Sequence, residues 1–422
     1  MTADLGTRRA IPAATWWRRP GLDVVDGRLS LNGADLEALA RTHGTPLFVY
    51  DLARPAENLR ALQGALRRAN VRHTVRFALK ANPDPRILAV IRGLGSPGSP
   101  DAVGIDACSP GEVIHALANG WRAEEISHTG TNVSERDLDV LLAHPIRINL
   151  DAVSQVERVG RRAPGRTIGL RINPGAGAGY TDELAYAGER PTKFGVTADR
   201  LDDAIDAVRR HGLVVDTMHF HAGSGWLGDQ VSGFEAALLN ATRFLDRLLE
   251  AGCPIREVNV GGGLGRPTRD DEQPVDLDVY AAAIRRHLDP YGVTAAFEPG
   301  DFVMKDAGLL LGEVVTVEER AGTTFVGLDL GWNVTSSYFV YRYLQEIVPV
   351  RDPLRGRHRP VTIAGHINEA GDVLAEDYPF GDVAEGEIVA ILNQGGYDQA
   401  MSMTHCLRPL AGTVHLEREA RA

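Results

Sequence analysis

The 422-residue chain has only three cysteines, Cys108, Cys253 and Cys406, too few and too far apart for a disulfide framework or for metal-ligand spacing. Free thiols in a reducing compartment are expected. No apolar run approaches the roughly 18 residues that a membrane helix needs, and the stretch Thr2 to Pro20 has no apolar signal core. Both absences lead to the expectation of a cytoplasmic protein with its native start. No block of Lys or Arg stands out, and 45 basic against 56 acidic residues leave a net charge of -11, which argues against nucleic acid as a partner. Low-complexity tracts and repeats of 20–50 residues are also missing.

What the chain has is length, 44% hydrophobic residues and alternation. At ~100–200 residues per domain, two or three domains are expected. After a lone strand candidate at Leu47–Tyr50, eight short apolar segments take turns with helical patterns. They lie near Thr74–Leu79, Gly104–Ala107, Glu125–His128, Ile146–Leu150, Thr167–Ile172, Val215–His221, Glu257–Val260 and Thr294–Glu298. Eight strands separated by helices suit an α/β fold of the (β/α)8 barrel type. An open doubly wound sheet is the structural competitor. Beyond about residue 305 the texture becomes β-rich, with Glu313–Val317 and Thr324–Leu328 flanking an Ala-Gly turn as in a hairpin. The expected division is 1–50 as a segment packing with the carboxyl-terminal β domain, 51–305 as the barrel, and 306–422 as the β-rich domain.

In a barrel of this kind, function gathers at the carboxyl ends of the strands. The first strand ends at Lys80, an amine positioned to form an imine with a carbonyl cofactor. Taken alone, a lysine is more often a solvated surface residue. The sixth ends in His219-Phe220-His221-Ala222-Gly223-Ser224-Gly225, with both histidines on one face by period-two alternation and a backbone that can approach an anion. Two satisfied polar residues and a turn are the plain alternative. The seventh ends in Gly261-Gly262-Gly263, suited to a phosphate or simply to a tight turn. The run falls too late, with the wrong spacing, for a dinucleotide fingerprint. The eighth ends in Glu298-Pro299-Gly300-Asp301, an acid that needs a cation, either a protonated ring nitrogen or a neighbouring arginine. Together these features describe a site for pyridoxal 5'-phosphate.

The set Phe77-Ala78-Leu79-Lys80-Ala81-Asn82-Pro83, His219-Phe220-His221-Ala222-Gly223-Ser224, Gly261-Gly262-Gly263 and Glu298-Pro299-Gly300 closely resembles motifs of the fold type III pyridoxal phosphate decarboxylases. Further matches are Arg171-Ile172-Asn173-Pro174, Lys193-Phe194-Gly195, Gly371-Asp372 and Gln394-Gly395-Gly396-Tyr397, in order over about residues 45 to 410, with the diaminopimelate branch nearest. The resemblance implies that Lys80 holds the cofactor as an internal aldimine, that His221 stacks on its ring and that Glu298 pairs with the ring nitrogen. It implies Ser224, Gly262, Gly263, Gly300 and Tyr397 as cofactor-binding, and loss of CO2 by way of a quinonoid. It also implies a homodimer in which Gly365–Asp372 acts on the neighbouring subunit's site.

Three departures from the family pattern stand out. The block that carries the family's cysteine, thought to protonate the carbanion, reads Gly365-His366-Ile367-Asn368-Glu369-Ala370-Gly371-Asp372. An amide cannot donate and recover a proton at neutral pH, which leaves His366, Tyr341 or Lys80 as substitutes for a catalytic Asn368. Cys406 is a further thiol, read first as an inert residue. Glu-Pro-Gly-Arg becomes Glu-Pro-Gly-Asp301, and the family's Arg-Pro becomes Ser337-Tyr338 before Tyr341. With Asp301, Tyr341, Glu369 and Asp372 as substrate residues and no metal site, a basic, lysine-, ornithine- or arginine-like or diaminopimelate-related amino acid is the expected substrate. The competing readings are an epimerase or racemase on the same scaffold and a non-catalytic pyridoxal phosphate binder.

Overall fold

The computed structural model describes residues 15–181, 184–185, 191–341 and 345–418. They divide into two compact units. One comprises residues 55–266 and 273–303; the other joins the amino-terminal residues through 54 to 267–272 and 304–422.

The first unit is a closed, all-parallel eight-stranded barrel. Its strands are β1 (His73–Ala78), β2 (Val103–Ala107), β3 (Ile126–Thr129), β4 (Arg147–Leu150), β5 (Thr167–Arg171), β6 (Val214–His219), β7 (Glu257–Asn259) and β8 (Thr294–Phe297), with β8 closing on β1. The open-sheet alternative is thereby excluded. The helices form where local chemistry allows. Asp84 and Ser109 cap Pro85–Arg92 and Pro110–Ala118, each of which starts at a proline whose missing N–H costs nothing there. The long helix Val231–Glu250 buries Phe234, Leu238, Ala241, Leu245 and Leu248, the i, i+3, i+4 stripe of a helix lying against a sheet.

Strand residues alternate between two environments. Val75, Phe77, Ile105, Ile148, Leu170 and Val258 are wholly buried apolar side chains. Their neighbours Arg76, Asp106, Asn149, Thr217, Glu257 and Asn259 are buried and polar. Arg76 on β1 reaches past β8 to Glu257 on β7 with two 2.9 Å hydrogen bonds, so this second set fills the barrel lumen. Arg147 extends the network to Asp216 at 2.9 Å and to Glu257 at 3.8 Å. Burial alone would raise the Glu257 carboxyl, but the Arg76 charge outweighs it and holds the group below its ordinary value. Glycine makes room for these side chains, since a Cβ at Gly169 would lie 1.9 Å from Asn149 Oδ1.

The second unit is built on an eight-stranded sheet. Gly308–Arg320 and Thr323–Leu328 form the expected hairpin, longer than the sequence suggested, turning at Ala321-Gly322. Leu47–Asp51 pairs with Gly308–Leu311 on one side and with Gly412–Leu416 on the other. Trp17, Leu29, Leu36, Leu309, Ile388 and Leu392 share its core.

The lumen network yields a prediction. Arg76→Met leaves Glu257 buried with only the more distant Arg147, and should cost ~3–5 kcal/mol of stability by urea denaturation. Pairing it with Glu257→Leu should restore most of that loss. A single variant as stable as the parent would show that the pair is not what holds the lumen.

Candidate active site

The carboxyl end of the barrel collects the titratable groups. Lys80 sits in a short 3-10 turn, Leu79–Ala81, directly after β1, and its side chain is exposed. Opposite, Glu298 follows β8 and is 7% exposed. Its Oε2 lies 3.0 Å from His219 Nε2 at the end of β6, and its Oε1 accepts a 2.6 Å bond from Asn259 Nδ2 on β7. The side chain that meets this buried acid within the barrel is a histidine rather than the arginine expected as the plain alternative. Burial works against ionisation of Glu298, but His219, Asn259 and Arg76 overcome it and bring the carboxyl down to about 2.

β6 stops at His219, two residues earlier than its alternating pattern suggested, and the two histidines part company. His219 points into the lumen, whereas His221 lies in the following loop with its Nε2 3.4 Å from Ser224 Oγ. Gly262 N–H donates to His221 Nδ1 at 3.3 Å, which makes that nitrogen an acceptor and leaves the proton on Nε2. Burial and the nearby Lys80 charge push His221 well below its ordinary value, so the ring is neutral at pH 7.

The glycine loops after β6 and β7 are stitched together. Gly263 O accepts from both Gly225 N and Trp226 N, and a Cβ at Gly263, whose φ is +103°, would fall 2.3 Å from Gly223 O. The Trp226, Phe234, Tyr280 and Phe297 rings pack in series beside these loops, stacked, tilted and then edge-on, with centroids 5.0 to 6.0 Å apart. They give the mouth a rigid backing. Gly300 is buried after Glu298, and Ala78 N donates to Pro299 O, which ties the eighth strand's loop to the first strand.

Asp301 is half-buried and accepts a 2.6 Å bond from the Tyr180 hydroxyl, which in turn accepts from the backbone N–H of Arg266. The Arg266 guanidinium lies 3.9 Å from the Phe302 ring, one residue from Asp301. Sequence reasoning counted no arginine here, because Arg266 lies in a loop 35 positions upstream with no motif to flag it.

Two more residues were missed. Asp106 at the end of β2 is buried near Lys80 and Glu298, and burial followed by the Glu298 charge pushes its carboxyl well above the ordinary value. Asp151, just past β4, is 4% exposed and within electrostatic reach of Arg171 and His219. Each ends an apolar strand, which was the available signal. His128 and Arg171 are buried at the ends of β3 and β5, and the Arg171 guanidinium lies over the Phe194 ring at 4.5 Å.

The remaining candidates belong to the second unit. Both Asp372 oxygens are bonded to backbone, Oδ1 to Trp332 N at 2.9 Å and Oδ2 to Ile367 N at 2.7 Å, so its carboxylate shapes its own loop. Asn368 and Glu369 are exposed, and Glu369 Oε1 lies 3.4 Å from His405 Nε2. Tyr397 has a left-handed φ of +72°, a costly conformation for an aromatic residue, and meets the Tyr341 ring edge-on at 5.7 Å. Cys406 is exposed rather than buried. No group of metal-binding side chains occurs among the described residues.

These residues fit pyridoxal phosphate. A buried carboxylate held ionised suits a protonated ring nitrogen, a neutral imidazole beside it suits the ring face, and the Ser224 hydroxyl with the glycine loops suits a phosphate. Comparison with known proteins gives the same answer. The family described as pyridoxal-dependent decarboxylase, pyridoxal binding domain, matches residues 56–305. The diaminopimelate decarboxylase of Methanothermobacter thermautotrophicus is 35% identical over 412 residues, covering 95% of this chain and 94% of its own. The structure of diaminopimelate decarboxylase from M. jannaschii in complex with L-lysine superposes with a TM-score of 0.83 at 25% identity, covering 94% of this chain and 93% of its own. Lysine decarboxylase from Selenomonas ruminantium gives a TM-score of 0.77 at 25% identity, covering 90% and 95%. The epimerase and carrier readings find no support among these relatives. The chain belongs to the pyridoxal-dependent decarboxylases, enzymes that use pyridoxal phosphate to remove CO2 from an amino acid.

Proposed function

We propose that the enzyme decarboxylates an α-amino acid whose side chain ends in an ammonium group, and that it prefers a basic amino acid to meso-diaminopimelate. Asp301 carries this reading, an anion beside Glu298 where the family has a cation. The bound cofactor supplies the electron sink for the pair left when CO2 departs. The chain's own residues supply the rest. Lys80 Nζ, exposed at the end of β1, would be the amine that holds the cofactor. Glu298 would present its negative charge to the ring nitrogen, His221 would face the ring, and Ser224, Gly262, Gly263 and Gly300 would hold the phosphate.

A proton must reach Cα. His366 is a poor source, because burial followed by Arg408 brings it down to about 4, and its Nε2 lies 3.2 Å from Asn333 Oδ1. Asn368 has no exchangeable acid at neutral pH. The barrel mouth offers the Lys80 ammonium and the Cys108 thiol among its proton-bearing groups. Burial pushes Cys108 up to about 12, and its Sγ lies 4.0 Å from Asp106 Oδ2. Lys80 therefore carries the proton in this reading.

A second substrate reading is meso-diaminopimelate itself, favoured by the Arg266 guanidinium beside Phe302, which offers its distal carboxylate a partner. We also propose a homodimer in which the loop around Asn368 and Glu369 serves the partner's barrel. No helix among the described residues is long and apolar enough to cross a membrane.

Three outcomes are expected. Borohydride treatment of the cofactor-loaded enzyme should place the label on the Lys80 peptide; label elsewhere would sink the assignment. Asp301→Asn keeps an acceptor for Tyr180 but removes the charge, and should raise KM for lysine-like substrates by a factor of thirty or more, as losing one partner of a buried charge pair costs ~2–5 kcal/mol. Efficient diaminopimelate turnover without any turnover of lysine, ornithine or arginine would overturn the preference in favour of the second reading. Under native conditions a maleimide should modify the exposed Cys406 and spare Cys108, read by peptide mass spectrometry; rapid Cys108 labelling would show that its thiol is not held protonated.

A further inference from the structure

Two buried polar atoms at the barrel mouth remain unexplained by the site described above. His219 Nδ1 and Asp151 Oδ2 each have no hydrogen-bond partner among the described residues. Their side chains are 1% and 4% exposed, and buried polar groups of this kind are nearly always satisfied in folded proteins. The two residues end strands on either side of β5. Asp151 follows β4, His219 is the last residue of β6, and His219 is in register with Arg171 of β5. The Asp151 carboxyl shares its hydrogen bonding with Thr131, and its charge is felt by His219 and Arg171. On the far side of the same imidazole, Nε2 already lies 3.0 Å from Glu298 Oε2.

We propose that Asp151 is a positioning residue for His219 and, through it, for Glu298, with the imidazole suspended between two carboxylates. Nε2–H donates to Glu298, and Nδ1–H reaches Asp151 Oδ2 through one bridging water. Donors on both nitrogens make His219 an imidazolium. Its charge balances the buried Glu298 anion, while Asn259 fixes the second oxygen. Arg171 beside Asp151, Lys80 across the mouth and Arg76 in the lumen are the other cations that bear on this chain of groups, and Asp106 is another acid. The inference rests on Glu298 facing the cofactor ring, and it deepens that reading: the charge presented to the ring nitrogen is set from two residues away, by a carboxylate that touches neither cofactor nor substrate.

A double-variant cycle on the cofactor-loaded enzyme tests this, with the visible absorption band of the bound cofactor and the separate values of kcat and KM as readouts. His219→Leu should shift the band and lower kcat roughly ten- to hundredfold, the worth of a hydrogen bond to a charged group, with KM unchanged. His219→Gln keeps an N–H near the position of Nε2 and should recover most of both. Asp151→Asn should fall between them. Because Asp151 acts through His219, adding Asp151→Asn to either His219 variant should change nothing further. If His219→Leu does not retain cofactor, the His219→Gln background decides. Equal effects of Asp151→Asn in the presence and absence of His219, or an unshifted band in His219→Leu, would overturn the proposal. Glu298→Gln separates the two levels. A shifted band there with none in the His219 variants removes only the positioning role, whereas no change in Glu298→Gln removes the reading of Glu298 itself.

Discussion

A carboxylate buried in a barrel lumen is unstable as an isolated charge, and the whole mouth of this barrel is organised around keeping one there. Glu298 is ionised because His219 and Asn259 reach it from two other strands, so its charge depends on the register of β6, β7 and β8. A slip of one residue in any of these strands would turn the partner to the opposite face. The fold is thus the instrument that holds the charge, and in the proposed function that charge is what would meet a cationic ring. The polar lumen below, with its Arg76–Glu257 pair, extends the same principle, since each ion there is stable only because another strand supplies its counterpart.

The tasks of the site are divided among strands in a way that keeps incompatible chemistry apart. Lys80 is exposed on β1's turn, where an amine can be reached. His221 is kept neutral by burial and the nearby Lys80 charge, and a backbone donor from the neighbouring loop fixes its tautomer. The acids take different states by environment. Glu298 is held as an anion by its partners, whereas burial and the Glu298 charge make Asp106, beside it, hold its proton more tightly despite Lys80 and Arg76.

Much of this was legible in the sequence. Eight strand–helix alternations gave the barrel, and strand ends gave Lys80, His221, Glu298 and the glycine loops. What escaped has a common physical cause: partnership across the lumen carries no sequence spacing. His219 was seen as a companion of His221, because alternation assigns faces but does not say where a strand stops. Asp151, Asp106 and Arg266 lie far along the chain from the groups they serve. Asp372 was read as a substrate residue, yet its two oxygens are spent on the N–H groups of Trp332 and Ile367, a use that only coordinates reveal. Asp301, in turn, accepts a hydrogen bond from Tyr180, a partner that no sequence spacing marks.

The account depends most on the charge state that Glu298 imposes at its partner. The ring nitrogen of 15N-labelled pyridoxal phosphate bound to the enzyme reports this directly by its NMR chemical shift. The account predicts the shift of a protonated nitrogen, unchanged from mildly acidic to mildly alkaline pH, because the facing carboxylate remains an anion throughout that range. A shift characteristic of an unprotonated nitrogen near neutral pH would contradict it.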